Sequence, residues 1–110
     1  MKKIEQSNNL KYFPDFKTLP EAVISSIEKF PDKIALQIKR GKSYDEFTYT
    51  RIKETIDRMC AALAGMGFAP GDHAAVIGEN RPEWAISYLA IQFAGGVVIP
   101  IDARNFSYSI

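Results

Sequence analysis

With 110 residues there is room for one domain and one small core, and a fold of this size hides well under three-quarters of the surface its unfolded chain exposes. The net charge of +1 excludes the basic stripe that a nucleic-acid partner would need, so no nucleic acid is expected. Cys60 is a lone cysteine that cannot close an internal disulfide, and no apolar stretch stands behind Met1-Lys2-Lys3-Ile4-Glu5-Gln6 as a secretory signal would require. Both readings point to the cytoplasm.

Residues 1–17 read as an N-terminal arm, with Leu10, Tyr12, Phe13 and Phe16 free to pack on a neighbouring surface; residues 18–110 read as one unit without repeat, linker or low-complexity tract. Thr18 and Glu21 form a capping box for a helix reaching about Phe30, with Val23, Ile24, Ile27 and Phe30 as its apolar stripe. Pro31 stops that helix. Ile34, Leu36 and Ile38 alternate with Ala35, Gln37 and Lys39, and Phe47 and Tyr49 alternate with Glu46 and Thr48. This pattern predicts a hairpin turning near Arg40 to Ser43. A second helix, capped by Thr48 or Thr50, runs to about Met66 and lines up Ile52, Ile56, Met59, Cys60, Leu63 and Met66, with Glu54 and Arg58 at charge-pairing distance on the opposite side. After the turn Ala69-Pro70-Gly71-Asp72, the run Ala74 to Ile77 predicts a strand buried on both faces.

The richest stretch follows. Between Trp84 and Ile101 there is no charged residue, so this span must be hidden from water. A membrane-crossing helix is the weaker explanation, because Gln92, Gly95, Gly96 and Pro100 would interrupt it. Asn80 as cap, Pro82 in the first turn and Glu83 reaching back mark a helix start, while Gly95-Gly96 ends the helix at about Ala94. Val97 to Ile101 then reads as a second buried strand. Strand, helix, glycine turn and strand make a parallel βαβ unit. The expected fold class is therefore α/β, with a β-hairpin, a parallel βαβ unit and about three helices.

Glu79-Asn80-Arg81-Pro82-Glu83-Trp84-Ala85-Ile86, Ala94-Gly95-Gly96 and Val98-Ile99-Pro100-Ile101-Asp102 resemble the N-terminal part of acyl-adenylate-forming enzymes, and most resemble long-chain fatty acid-CoA ligases. Thr18-Leu19-Pro20-Glu21-Ala22, Phe30-Pro31-Asp32-Lys33-Ile34-Ala35-Leu36, Phe47-Thr48-Tyr49 and Gly67-Phe68-Ala69-Pro70-Gly71-Asp72 fit the same resemblance in order. It covers about residues 18 to 102. Ile52 stands where such enzymes usually carry leucine, Ala103 where they often carry proline, and Asn105 to Ile110 is atypical.

Individual residues offer little chemistry. Gly65, Gly67 and Gly71 close a helix and open a strand, the reverse of a phosphate-cradling loop. His73 has no sequence neighbour to complete a metal site or triad and reads as a solvated side chain. Cys60 lies on an apolar stripe and reads as a buried thiol rather than a nucleophile. Trp84 could stack on a base, but an anchoring role is preferred. Asp45 and Glu46 point to opposite faces of a strand and cannot share a site. Asp102 follows a buried strand, where open α/β sheets place ligands, but fixing the turn is its preferred role. No catalytic, cofactor-binding or metal-binding residue is assigned.

The resemblance implies an intact enzyme that joins a fatty acid to ATP, releases pyrophosphate, and hands the acyl group to coenzyme A. ATP, magnesium and coenzyme A would be held by downstream segments, so this chain is expected to be an inactive N-terminal piece of the large domain, partnered by the rest of the ligase. Peripheral membrane contact fits the substrate class. A further helix is expected to start within Ala103 to Ile110. Independently, the helix from Pro82 to Ala94 is apolar nearly all round, and only two other good helices remain to cover two continuous apolar strands. The chain therefore reads as part of a larger fold, about a fifth of the family's usual length. By itself it is expected to self-associate. The competing reading is a non-catalytic interaction module that associates through its sheet edge and apolar helix.

Overall fold

The computed structural model describes residues 16–102. The elements are α1 (Leu19–Lys29), β1 (Ile34–Arg40), β2 (Ser43–Thr48), α2 (Tyr49–Gly65), β3 (His73–Gly78), α3 (Pro82–Phe93) and β4 (Val97–Asp102). Strands β1 and β2 form an antiparallel two-stranded sheet, and β3 and β4 form a parallel one. The expected α/β class, hairpin and βαβ unit are all present. Most of the expected arm, and the expected helix start within residues 103–110, lie outside the described residues.

Local chemistry sets each boundary. Thr18 Oγ1 accepts from the Glu21 amide at 3.3 Å, while the Glu21 carboxylate accepts from the Lys17 amide at 2.9 Å, so the capping box closes one residue earlier than its usual form. Thr48 caps α2 by accepting from the Arg51 amide at 3.1 Å. Tyr49 therefore opens α2 instead of continuing β2, because the cap makes it the first helical residue. Both α2 and α3 end in the same device. Gly67 and Gly95 take φ of +91° and +81°, and the following amides, of Phe68 and Gly96, bond back to the Leu63 and Ile91 carbonyls at 3.0 and 2.9 Å. These are Schellman motifs, for which glycine is the unstrained residue.

Three expectations about helix ends and faces change. The cap of α3 is Arg81, with no side-chain capping bond, because Pro82 forces the residue before it into the extended conformation (φ −129°, ψ 160°) and moves the boundary past Asn80. The charge pair along α2 is Lys53–Asp57 at 2.8 Å; Arg58 instead turns toward the Thr55 hydroxyl at 3.3 Å. Met66 leaves the apolar stripe and is 82% exposed, because it lies past the last turn as the C-cap.

The core lies between α2, α3 and the hairpin. Phe47, Ile52, Ile56, Ile86 and Ala90 form one buried cluster, flanked by half-buried Leu36, Met59, Cys60, Leu89 and Phe93. Helix α3 is sandwiched between this cluster and the parallel strands, which is why it is apolar on nearly every side. Phe68 lies across Gly96, where an added Cβ would meet the ring at 2.4 Å, so only glycine lets the α3–β4 turn come this close.

Beyond this core the apolar surface is half covered. Helix α1 has no fully buried residue, and Ile24 and Phe30 of its expected stripe are exposed. Among the described residues only α3 packs substantially on the β3–β4 sheet, so Val76 is buried while Ala75, Ile77, Val97 and Ile99 on the other face are exposed. The strands read as buried on both faces are thus covered on one, for want of a second layer. No helix among the described residues is long and apolar enough to cross a membrane.

Candidate functional site

A crevice of about 760 Å³ opens where β3 and β4 end and α3 begins. Parallel register sets its floor, pairing Ile77 with Ile101 and Gly78 with Asp102, so both chains leave the sheet at one level. Open α/β sheets bind ligands just outside the carboxyl ends of their strands, and the volume falls in the range of small-molecule pockets.

Trp84, in the first turn of α3, forms one wall and stacks on Tyr88 with ring centroids 5.6 Å apart and planes 30° apart. Gly78 makes room for it: a Cβ there would lie 3.3 Å from Trp84 Cδ1. Pro100 and Ile101 complete the apolar lining, and Glu79, Asn80 and Asp102 supply its polar groups. Arg81 pairs with Glu79 at 3.1 Å, so this rim carries little net charge.

A chain of charged groups fixes the first turn of α3 from behind. Arg40 grips both Glu83 carboxylate oxygens at 2.6 and 3.0 Å and reaches Asp45 at 3.3 Å. Asp45 also accepts from Arg51 at 2.8 Å, and the Arg51 guanidinium lies 3.9 Å from the centroid of the Phe47 ring. The hydrogen bond from Arg51 is the main reason that the Asp45 carboxyl is held below its usual range; partial burial opposes it, and the charges of Arg51 and Arg40 add to it. All these side chains are substantially exposed, so solvent screens each pair and their value is positional.

The structure brings Trp84 and Asp102 together in the crevice and leaves the other singled-out residues elsewhere. Trp84 serves both as a packing anchor and as an open wall. His73 is exposed at the start of β3, at the opposite end of the strand. Cys60 is half-buried with Sγ 3.4 Å from the Ala90 carbonyl oxygen, and burial first, then Asp57, pushes its thiol upward, away from the reactive thiolate. Among the described residues no group of three or more His, Cys, Asp or Glu is placed to hold a metal ion. Sequence reasoning missed Gly78, Glu79, Asn80, Pro100 and Ile101 as crevice residues. The available signal was the pairing of two strand ends, which brings residues 76–78 beside 100–102 and so starts Glu79 and Asn80 at the same level.

The profile of the AMP-binding enzymes matches residues 24–109, most of the chain. The chain belongs to the AMP-binding enzyme family. It is 31% identical over 90 residues to a Mycobacterium tuberculosis ligase, 3-[(3aS,4S,7aS)-7a-methyl-1,5-dioxo-octahydro-1H-inden-4-yl]propanoyl:CoA ligase, covering 82% of this chain and 17% of that protein. To the long-chain-fatty-acid–CoA ligase ACSBG2 of Rattus norvegicus it is 30% identical over 88 residues, covering 80% of this chain and 13% of that protein. The described fold is similar to NpsA-ThdA, an artificially fused adenylation–PCP di-domain NRPS from Klebsiella oxytoca, with a TM-score of 0.72 at 28% identity over 84% of this chain and 17% of that one. This AMP-binding chain thus spans 17% or less of the length of the curated relatives it matches.

Proposed function

We propose that this chain is the N-terminal scaffold of an ATP-dependent fatty acid-CoA ligase and is inactive alone. In the reaction, a carboxylate oxygen attacks the α-phosphorus of ATP and pyrophosphate departs, leaving an acyl-adenylate. The thiol of coenzyme A then attacks the acyl carbon, loses its proton, and AMP leaves as the thioester forms. The family match carries the adenylation step, and the similarity to a long-chain-fatty-acid–CoA ligase supports the substrate class and the coenzyme A step.

What this chain supplies is geometry. Trp84 and Ile101 offer an apolar wall beside the polar rim of Glu79, Asn80 and Asp102, and Arg40 holds the turn that carries Trp84. Stabilising charge on a phosphate requires a cluster of free donors, and the cation beside the crevice, Arg81, is already paired with Glu79. In keeping with the family resemblance, ATP, magnesium and coenzyme A are assigned to the remainder of the ligase. A cytoplasmic setting, with peripheral contact to the membranes that store acyl substrates, completes the proposal.

Two measurements test it. The chain incubated with ATP, magnesium, coenzyme A and palmitate should release no pyrophosphate, and measurable turnover by pure protein would refute the scaffold role. Extending the reading frame beyond Ile110 should give a glycine-rich, lysine-bearing phosphate loop and a product that forms palmitoyl-CoA. An extended protein that activates only amino acids would overturn the fatty-acid assignment and leave the family intact.

A further inference from the structure

Trp84 is fixed from two directions. Within the βαβ unit it stacks on Tyr88 and lies against Gly78, while Glu83, the residue before it, is gripped from the hairpin by Arg40. The hairpin register explains why Arg40 can do this. Asp45 pairs with Ile38, so Arg40, two residues on, shares its face of the sheet as a diagonal neighbour, and Arg40 Nε donates to Asp45 Oδ2 at 3.3 Å. That leaves Arg40 Nη2 for both Glu83 oxygens, at 2.6 and 3.0 Å.

The second oxygen of Asp45 is taken from the core side. Oδ1 accepts from Arg51 Nη1 at 2.8 Å, and the same nitrogen donates to the Glu46 carbonyl at 2.7 Å. Arg51 lies in the first turn of α2 with its guanidinium over the ring of Phe47, which is 5% exposed. Charges of alternating sign thus run Arg51, Asp45, Arg40, Glu83, from a core ring to the crevice wall. A lone arginine on an exposed strand end gives up its many rotamers for little gain when it meets one carboxylate. With Asp45 holding Nε, the guanidinium is already presented when Glu83 meets it, and the grip costs less to form. Every one of these contacts lies among the described residues, so they hold whatever else packs on the crevice.

We infer that Asp45 is a positioning residue for the crevice: by fixing Arg40 it locks Glu83 and the first turn of α3, and so sets the orientation of Trp84, although Asp45 lies outside the crevice lining. The coupling is electrostatic and exposed. It therefore makes the crevice wall sensitive to ionic strength, whereas contacts with Tyr88 and Gly78 alone would leave the wall indifferent to salt. The inference rests on the reading that this chain supplies the crevice's geometry; its test reads Trp84 without substrate, so its failure would leave the turnover and reading-frame outcomes standing.

Quenching of Trp84, the only tryptophan in the sequence, by neutral acrylamide reads how far the turn opens. Asp45→Asn keeps the shape but turns one acceptor oxygen into a donor, and it should raise the quenching constant about twofold, within the range that exposed pairs deliver. Glu83→Gln should do the same. The double variant should match either single one, because both cut the same chain of contacts. Asp57→Asn, which breaks the similarly exposed Lys53–Asp57 pair on α2, should leave Trp84 as in the parent. Raising sodium chloride from about 10 mM to about 1 M shortens the screening length from about 30 to about 3 Å and should bring the parent up to the Glu83→Gln level, which itself stays flat. The parent's salt series needs no substitution, so it decides the matter even where a variant folds poorly. An Asp45→Asn chain quenched like the parent, effects that add in the double variant, a response to Asp57→Asn, or a parent indifferent to salt would each overturn the inference.

Discussion

Truncating isoleucine at two depths measures how much of this chain's apolar surface is truly covered. Ile56 is 0% exposed in the cluster formed by α2, α3 and the hairpin, whereas Ile99 is 42% exposed on the open face of the parallel sheet. Isoleucine to alanine removes the equivalent of about three methylenes, or about 2.4 kcal/mol of transfer free energy when fully buried. At Ile56 a cavity term adds to this, because neighbours on all sides relax only partly, giving about 3 to 4 kcal/mol. At Ile99 the transfer loss scales down to about 1.4 kcal/mol and no closed cavity forms. The assay is urea unfolding at about 1 μM, low enough to suppress association, followed by the fluorescence of Trp84, the only tryptophan in the sequence. Where Ile56→Ala leaves too little folded protein, Ile56→Val and Ile99→Val preserve the ranking on a smaller scale, with Ile56→Val at about 1 kcal/mol. Equal losses at the two positions would refute the reasoning, since Ile99 would then be packed as tightly as the core.

Two further outcomes follow from particular groups. Asp45 has its carboxyl held low by Arg51 and Arg40, so its pairing stabilises the fold above the ordinary carboxylate range, and that contribution disappears as pH falls through the lowered value. The gap in urea midpoint between the parent chain and Asp45→Asn should therefore be full at neutral pH and close as pH falls below the ordinary carboxylate range; a gap that is constant or widens in acid would contradict the assignment. Gln92 Oε1 is buried without a hydrogen-bond partner among the described residues. Gln92→Met keeps the shape and removes the orphaned acceptor, so it should raise stability by about 1 kcal/mol by urea titration, and a loss of similar size would mean that the amide is satisfied in solution.

What the sequence disclosed was whatever a short segment decides by itself. Thr18 and Thr48 cap helices because their hydroxyls reach amides three residues on, and Gly67 and Gly95 end helices because they alone tolerate the required backbone. The uncharged span from Trp84 to Ile101 gave the βαβ unit for the same reason, since a helix bracketed by proline and a glycine pair can be recognised without knowing its neighbours. Even there the cap shifted by one residue, to Arg81, because proline constrains the position before it more strongly than asparagine favours capping.

The crevice was less legible because no segment contains it. Its walls come from the ends of two strands and the start of a helix, and the group that fixes that helix, Arg40, lies 43 residues from Glu83 in sequence. Nothing in the hairpin's alternating pattern marks Arg40 as different from Lys39, and only the packing of β1 beside α3 brings Glu83 to it. The open face poses the opposite case. Continuous apolar strands announced burial on both sides, yet α3 covers only one, leaving Ile77, Val97 and Ile99 in water. That mismatch between a sequence written for two covering layers and a fold that provides one is a physical argument for a missing layer, independent of any family resemblance. The share of each relative that the chain matches, 17% or less, points the same way. Pro100 then decides where a neighbour can add, since it closes the outer edge of β4 and leaves that of β3 open. If a longer chain places its next strand against β3, the order reverses between β3 and β4, and the crevice at their carboxyl ends lies at the switch point where such sheets hold their ligands.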